Sequence, residues 1–194
     1  MKVQSARLYA TVTTAILATI TAACSMPSKP MIETAAEASK PFSSGEILQV
    51  LQTLNEAEIE QARLAEQRSQ TEEVREAAEL IIDHHTSAVE RIDNIARDHG
   101  IALEESPLSR GLESQSSEIR QELAALSGSE FDCVYLQKQV EQHRLALDTV
   151  HTDLLPDAEL RPIRETLGEM APQLEQHQRA SRQVIANLPE CDEP

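Results

Sequence analysis

Four stretches of this chain repeat apolar residues at steps of three and four, and each repeat is broken by an ionisable side chain. The first line is Ile47, Leu51, Leu54, Glu58, Gln61 and Ala65, and the second is Val74, Ala78, Ile81, His85, Ala88, Ile92 and Ile95. Leu136, Gln139, His143, Ala146 and Val150 make the third; Ile163, Leu167, Met170, Leu174, His177, Ser181 and Val184 make the fourth. That spacing places each line on one face of an α-helix, and the face must turn toward a core. A polar, titratable group on such a face costs free energy unless something satisfies it. The fold must therefore be all-α, and it must provide for Glu58, His85, His143 and His177 in its interior.

Helix-forming Ala, Leu, Glu, Gln and Arg dominate the 194 residues, Trp is absent and glycines number five. Ser43-Ser-Gly-Glu46 fits a capping box, so the first helix starts there. Ser69-Gln-Thr-Glu72 turns the chain into the second helix, which Gly100 ends. Residues 101–110 read as a loop, and Leu112, Ile119, Leu123 and Leu126 predict a short extra helix stopped by Gly128. The third long helix starts near Ser129, Leu155-Pro156-Asp157 makes the next turn, and Pro162 lies near the start of the fourth. Pro172, inside that fourth helix, predicts a kink. Mostly short connections predict an up-down-up-down four-helix bundle over residues 44–188, with the extra helix between helices 2 and 3 and a tail over 189–194. At about 1.5 Å per residue, Glu58, His85, His143 and His177 rise roughly 20, 17, 18 and 13 Å along their helices, so one layer is expected.

Residues 1–23 differ in character. Lys2 and Arg7 precede an apolar stretch from Leu8 to Ile20, and Thr21-Ala22-Ala23-Cys24 follows. This reads as a secretory signal peptide, too short for a comfortable membrane span. Small residues ending at a cysteine resemble the bacterial lipobox, with Thr21 where that motif prefers Leu. The resemblance implies cleavage before Cys24, lipid on its sulfur and an envelope location. Ser25 after the cysteine would direct the protein to the outer membrane, facing the periplasm. An ordinary signal peptide with Cys24 retained is the other reading. Residues 24–43, with Pro27, Pro30 and Pro41, read as a flexible tether. The net charge of −16 argues against nucleic acid or an anionic membrane surface as partner, which leaves the lipid on Cys24 as the membrane attachment.

Several motifs occur in order: Glu58-Ile59, the Asp-His-His of 83–85, Ser127-Gly128-x-x-Phe131-Asp132-x-x-Tyr135 with Gln139 and His143, and Pro172-x-Leu174-x-x-His177. Together, over roughly residues 45–187, they resemble the bacterial family known as domain of unknown function 4142, often labelled predicted outer membrane protein. The resemblance implies a ferritin-like bundle and carries no settled activity. The family pattern has Asp before a single His, whereas two histidines follow Asp83 here; periodicity places His85 on the stripe and His84 beside it. Ala171-Pro172 also stands where the family has Leu-Pro.

A ferritin-type di-iron site needs Glu-x-x-His on two helices. Ile82, Val140 and Leu174 stand three residues before the stripe histidines, so that motif is absent. Glu58, His85, His143 and His177 could instead hold one divalent Zn, Cu or Fe ion, with Tyr135, Gln139 and His84 around them. The alternative is a polar core layer without metal that fixes helix register, in a structural or partner-binding envelope protein. No Ser-His-Asp set, phosphate loop or Cys-x-x-Cys occurs, so nothing beyond the metal set supports an enzyme. Asp148-x-x-His151 and His99 lie near helix ends and are expected to face solvent. Cys133 and Cys191 are expected to pair, because the start of the third long helix and the end of the fourth share one end of the bundle and export permits oxidation.

Overall fold

The structure, a computed structural model, describes residues 40–191; Cys24, with the signal and most of the tether, lies outside the described residues. Five α-helices and no strand occur among those described: α1 (Ser44–Arg68), α2 (Glu72–His99), α3 (Pro107–Ala125), α4 (Gly128–Thr149) and α5 (Arg161–Asn187). A π turn, Val150–Leu154, extends α4, and a 3-10 turn, Pro189–Cys191, follows α5.

Local chemistry sets the boundaries. The Ser43 hydroxyl accepts from the Glu46 amide at 3.1 Å, and the Glu46 carboxylate accepts from the Ser43 amide at 2.8 Å. Glu72 and Glu73 occupy the first turn of α2, where the helix dipole favours them, and Gly100 leaves its last turn at φ 64°. The loop after α2 is shorter than the sequence predicts. Ser106 caps α3 by accepting from the Ser109 amide, and Pro107 takes the first helical position, where its missing N–H costs nothing. Gly45 is required by close approach: a Cβ there would lie 2.4 Å from the Ala102 carbonyl oxygen. α5 is helical on both sides of Pro172.

The helix directions correct the expected up-down-up-down order. The Glu104 amide donates to the Gly45 carbonyl at 3.2 Å, and the Phe42 amide to Asp157 at 2.8 Å. The start of α1, the end of α2, and the turn from α4 to α5 therefore share one end. At the other end Thr71 donates to Asp132 at 2.6 Å, Arg68 donates to the Ala124 carbonyl at 2.7 Å, and Cys133 is bonded to Cys191. The four long helices thus run up, down, down and up. The reason is α3. Its 19 residues span about 28 Å, enough to return the chain along α1 from one end to the other before α4 begins. It is a crossover rather than a short extra helix.

The apolar interior is two clusters rather than one. Ile47, Leu51, Ile92, Val150, Ile163 and Leu167 belong to the first; Ala65, Ala78, Ile81, Phe131, Tyr135 and Leu136 belong to the second. Between them every long helix contributes buried polar residues: Asn55, Glu58 and Gln61 from α1, His85 from α2, Gln139 and His143 from α4, and His177 and Ser181 from α5.

Candidate metal centre

Glu58, His85, His143 and His177 are 6, 5, 1 and 1% exposed, so all four interruptions of the apolar stripes point inward. The helices hold them near mid-length, and a mid-helix group stays near the same level whichever way its helix runs. That is why one layer forms despite the altered topology.

His85, His143 and His177 form a compact group in which one ligating nitrogen from each lies within 4.8 Å of the others. The neighbouring groups fix which nitrogens carry protons. Asn55 Nδ2 donates to the Leu51 carbonyl at 2.6 Å, so its Oδ1 must be the atom facing His85 Nδ1 at 2.8 Å. His85 Nδ1 is therefore the donor, and a neutral His85 ring carries its lone pair on Nε2, which is buried with no partner. His143 Nδ1 lies 2.8 Å from the Gln139 backbone carbonyl, which can only accept, so the lone pair of a neutral His143 ring is also on Nε2. That atom faces His177 Nδ1 at 3.0 Å, and His177 Nε2 faces His84 Nδ1 at 2.8 Å.

Burial holds His85 well below the usual imidazole range, and the charges of His143, His177 and His84 push it the same way. Burial, then His143 and His84, take His177 down to about 3. Both rings are thus neutral, as ligation requires. Burial raises the Glu58 carboxyl, against the opposing pull of nearby His143. Burial and then the Glu58 charge push the Tyr135 hydroxyl well above its usual value, keeping it protonated.

The expected ligand set is only partly brought together. Glu58 stays outside the compact histidine group. It lines a cavity of about 10 Å³ with Asn55, His85 and His143, and its Oε2 has no hydrogen-bond partner. Tyr135 and both polar ends of the Gln139 side chain are likewise buried without partners, so neither supports a histidine by a side-chain hydrogen bond. Gln139 acts through its backbone carbonyl instead. His84, expected beside the stripe, touches His177 directly, with ring centroids 5.0 Å apart. Asn55 is absent from the expected site. Its signal was available, because Leu51, Asn55 and Glu58 also follow steps of four and three, and an amide buried in mid-helix asks for a partner. His99 and His151 are exposed. Cys133 and Cys191 are disulfide-bonded, with Cα atoms 5.2 Å apart.

A tetrahedral ion with Zn–N bonds of about 2.0–2.1 Å needs its nitrogens roughly 3.3 Å apart. Small ring movements bring the three histidines, at 3.0 Å for one pair and within 4.8 Å overall, to that spacing. The donor set therefore fits a borderline divalent ion.

The profile of a family described as a domain of unknown function (DUF4142) matches residues 29–184 of this chain. No curated protein and no solved structure matches it.

Proposed function

The chain belongs to the DUF4142 family, and we propose that it binds one divalent transition metal ion, Zn, Cu or Fe, through His85, His143 and His177. The observation that carries this reading is the Nε2 of His85. It is a buried lone pair with no partner, its tautomer is fixed by Asn55, and it sits beside two further imidazoles from other helices. Leaving such an acceptor unpaired costs about 1–3 kcal/mol, and a cation converts that cost into a bond. Glu58 supplies a carboxylate beside the site, either as a fourth ligand after a side-chain rotation or through one water in the cavity it shares with His85 and His143.

The second reading is a polar layer without metal, in a structural or partner-binding protein. The run His84–His177–His143–Gln139 favours it, since each contact there is already of hydrogen-bond length. The order of the long helices, with α3 as a crossover, supports a ferritin-like bundle for either reading. We place this domain in the cell envelope, tethered to the outer membrane by lipid on Cys24, on the strength of the lipobox-like residues 21–24.

The test is metal content. The untagged mature chain is loaded separately with Zn²⁺, Cu²⁺ or Fe²⁺, dialysed and analysed for metal per chain. One ion per chain is expected; His85→Ala and His143→Ala should lose it, and His99→Ala and His151→Ala should keep it. Retention of no metal by the wild-type chain, or equal loss in His99→Ala and His85→Ala, would establish the polar-layer reading.

A further inference from the structure

The three central histidines are buried, and none of them can meet a hydrated ion at the surface. His84 can. It is partly exposed, it follows Asp83 on the outer side of α2, and its Nδ1 lies 2.8 Å from the Nε2 of His177. We infer that His84 is the loading ligand of this site: a metal ion is taken up between α2 and α5 by His84 and passed through His177 to the inner group. The inference rests on the metal-binding reading above.

Three observations support the route. A cavity of about 10 Å³ between α2 and α5 is lined by His84, His85 and His177, and Ala88 and Gln173 bring it to the surface. His177 presents its two ring nitrogens to different neighbours, Nε2 to His84 and Nδ1 to His143. An ion held by His84 and His177 is therefore one imidazole away from the inner group. Finally, the opposite approach has no imidazole. The cavity of about 40 Å³ between α1, α3 and α4 also reaches the centre, but Glu58 is its one ionisable side chain, and its other polar groups are the neutral amides and hydroxyls of Gln115, Ser116, Gln142 and Thr149. A cation sheds its water in steps, each needing a replacement donor. Imidazoles in succession provide these on the His84 side.

A loading ligand changes rates in both directions, because the ion leaves by the path it took in. The experiment follows Co²⁺ binding to the untagged mature chain by stopped-flow absorbance, and its release to an excess of chelator. His84→Gln keeps a polar group beside His177 but removes the imidazole; it should slow both association and dissociation by at least tenfold. Ala88→Leu, which narrows the α2–α5 mouth while leaving every proposed ligand in the chain, should slow both in the same way. Ala57→Leu, which narrows the opposite cavity, should load and release at wild-type rates. Circular dichroism confirms that each variant is folded. Wild-type association rates in His84→Gln overturn the inference, and so does slower association without slower release, which would make His84 only an orienting residue. Slow loading in Ala57→Leu with normal loading in Ala88→Leu would move the route to the Glu58 side. If the wild-type chain takes up neither Co²⁺ nor Zn²⁺, the metal reading itself fails, and the loading role with it.

Discussion

Acid should destabilise the metal-free protein well before its surface carboxylates titrate. His177 is held near 3 in the folded chain against 6.5 for a free imidazole, and His85 is displaced in the same direction. The sign follows from proton counting. Between those two values the unfolded chain binds protons that the folded chain refuses, so stability falls as pH falls from about 6.5 toward 3. Above that window neither state binds the proton and the effect vanishes. At pH 5 the gap from 6.5 is worth about 2 kcal/mol for His177, at 1.36 kcal/mol per pH unit, and His85 adds to it in the same direction. Glu58 works the other way. Its raised carboxyl binds a proton in the folded chain more readily than in the unfolded one, so it adds stability as pH falls toward 4.5. The measurement is urea unfolding, followed by far-UV circular dichroism at pH 7, 6 and 5 with chelator present. Wild type should lose about 2 kcal/mol or more from pH 7 to 5, a large share of a typical domain's total. Glu58→Gln, which removes the opposing group, should lose more over the same interval. Constant stability from pH 7 to 5 in both proteins would show that the imidazoles take up protons in place, and the account of a dry histidine layer would be wrong.

Two further predictions concern the ends of the domain. Reducing the Cys133–Cys191 bridge, which links positions 58 apart, should lower stability by about 2–4 kcal/mol. Denaturant midpoints with and without dithiothreitol measure this, and equal midpoints would show that the segment after α5 contributes nothing. Gly45→Ala would drive a Cβ into the Ala102 carbonyl at 2.4 Å, and backbone atoms cannot step aside as a side chain can. About 1–3 kcal/mol of destabilisation is expected, visible as a lower thermal midpoint. An unchanged midpoint would mean that the loop after α2 shifts freely.

Much of the candidate site was legible because a helix converts spacing into direction. Once Ile81, His85, Ala88 and Ile92 are separated by steps of four and three, His85 must share their inward face, whatever the helix packs against. The same reasoning holds for Glu58, His143 and His177, and the caps at Ser43 and Gly100 follow equally from local backbone chemistry. These are properties of one helix at a time.

Other features depend on how helices meet, and periodicity within a helix carries no information about that. Leu51-x-x-x-Asn55 and Leu51-x-x-Leu54 fit the inward face equally well, and packing against α2 is what gives Asn55 to His85. Glu58 and His143 share a layer, yet side-chain reach leaves the carboxylate outside the compact histidine group. His84 lies off the stripe and still joins the network, because α5 sets His177 against that edge of α2. The direction of α4 was hidden for a related reason. The hydrophobic pattern of α3 marks a helix, but only its length in space, set against α1, shows that it carries the chain to the other end. Sequence alone determined that Glu58, His85, His143 and His177 enter the interior; the packing of α1, α2, α4 and α5 decided what joins them there and which of them touch, because contact depends on distances between helices that no single helix encodes.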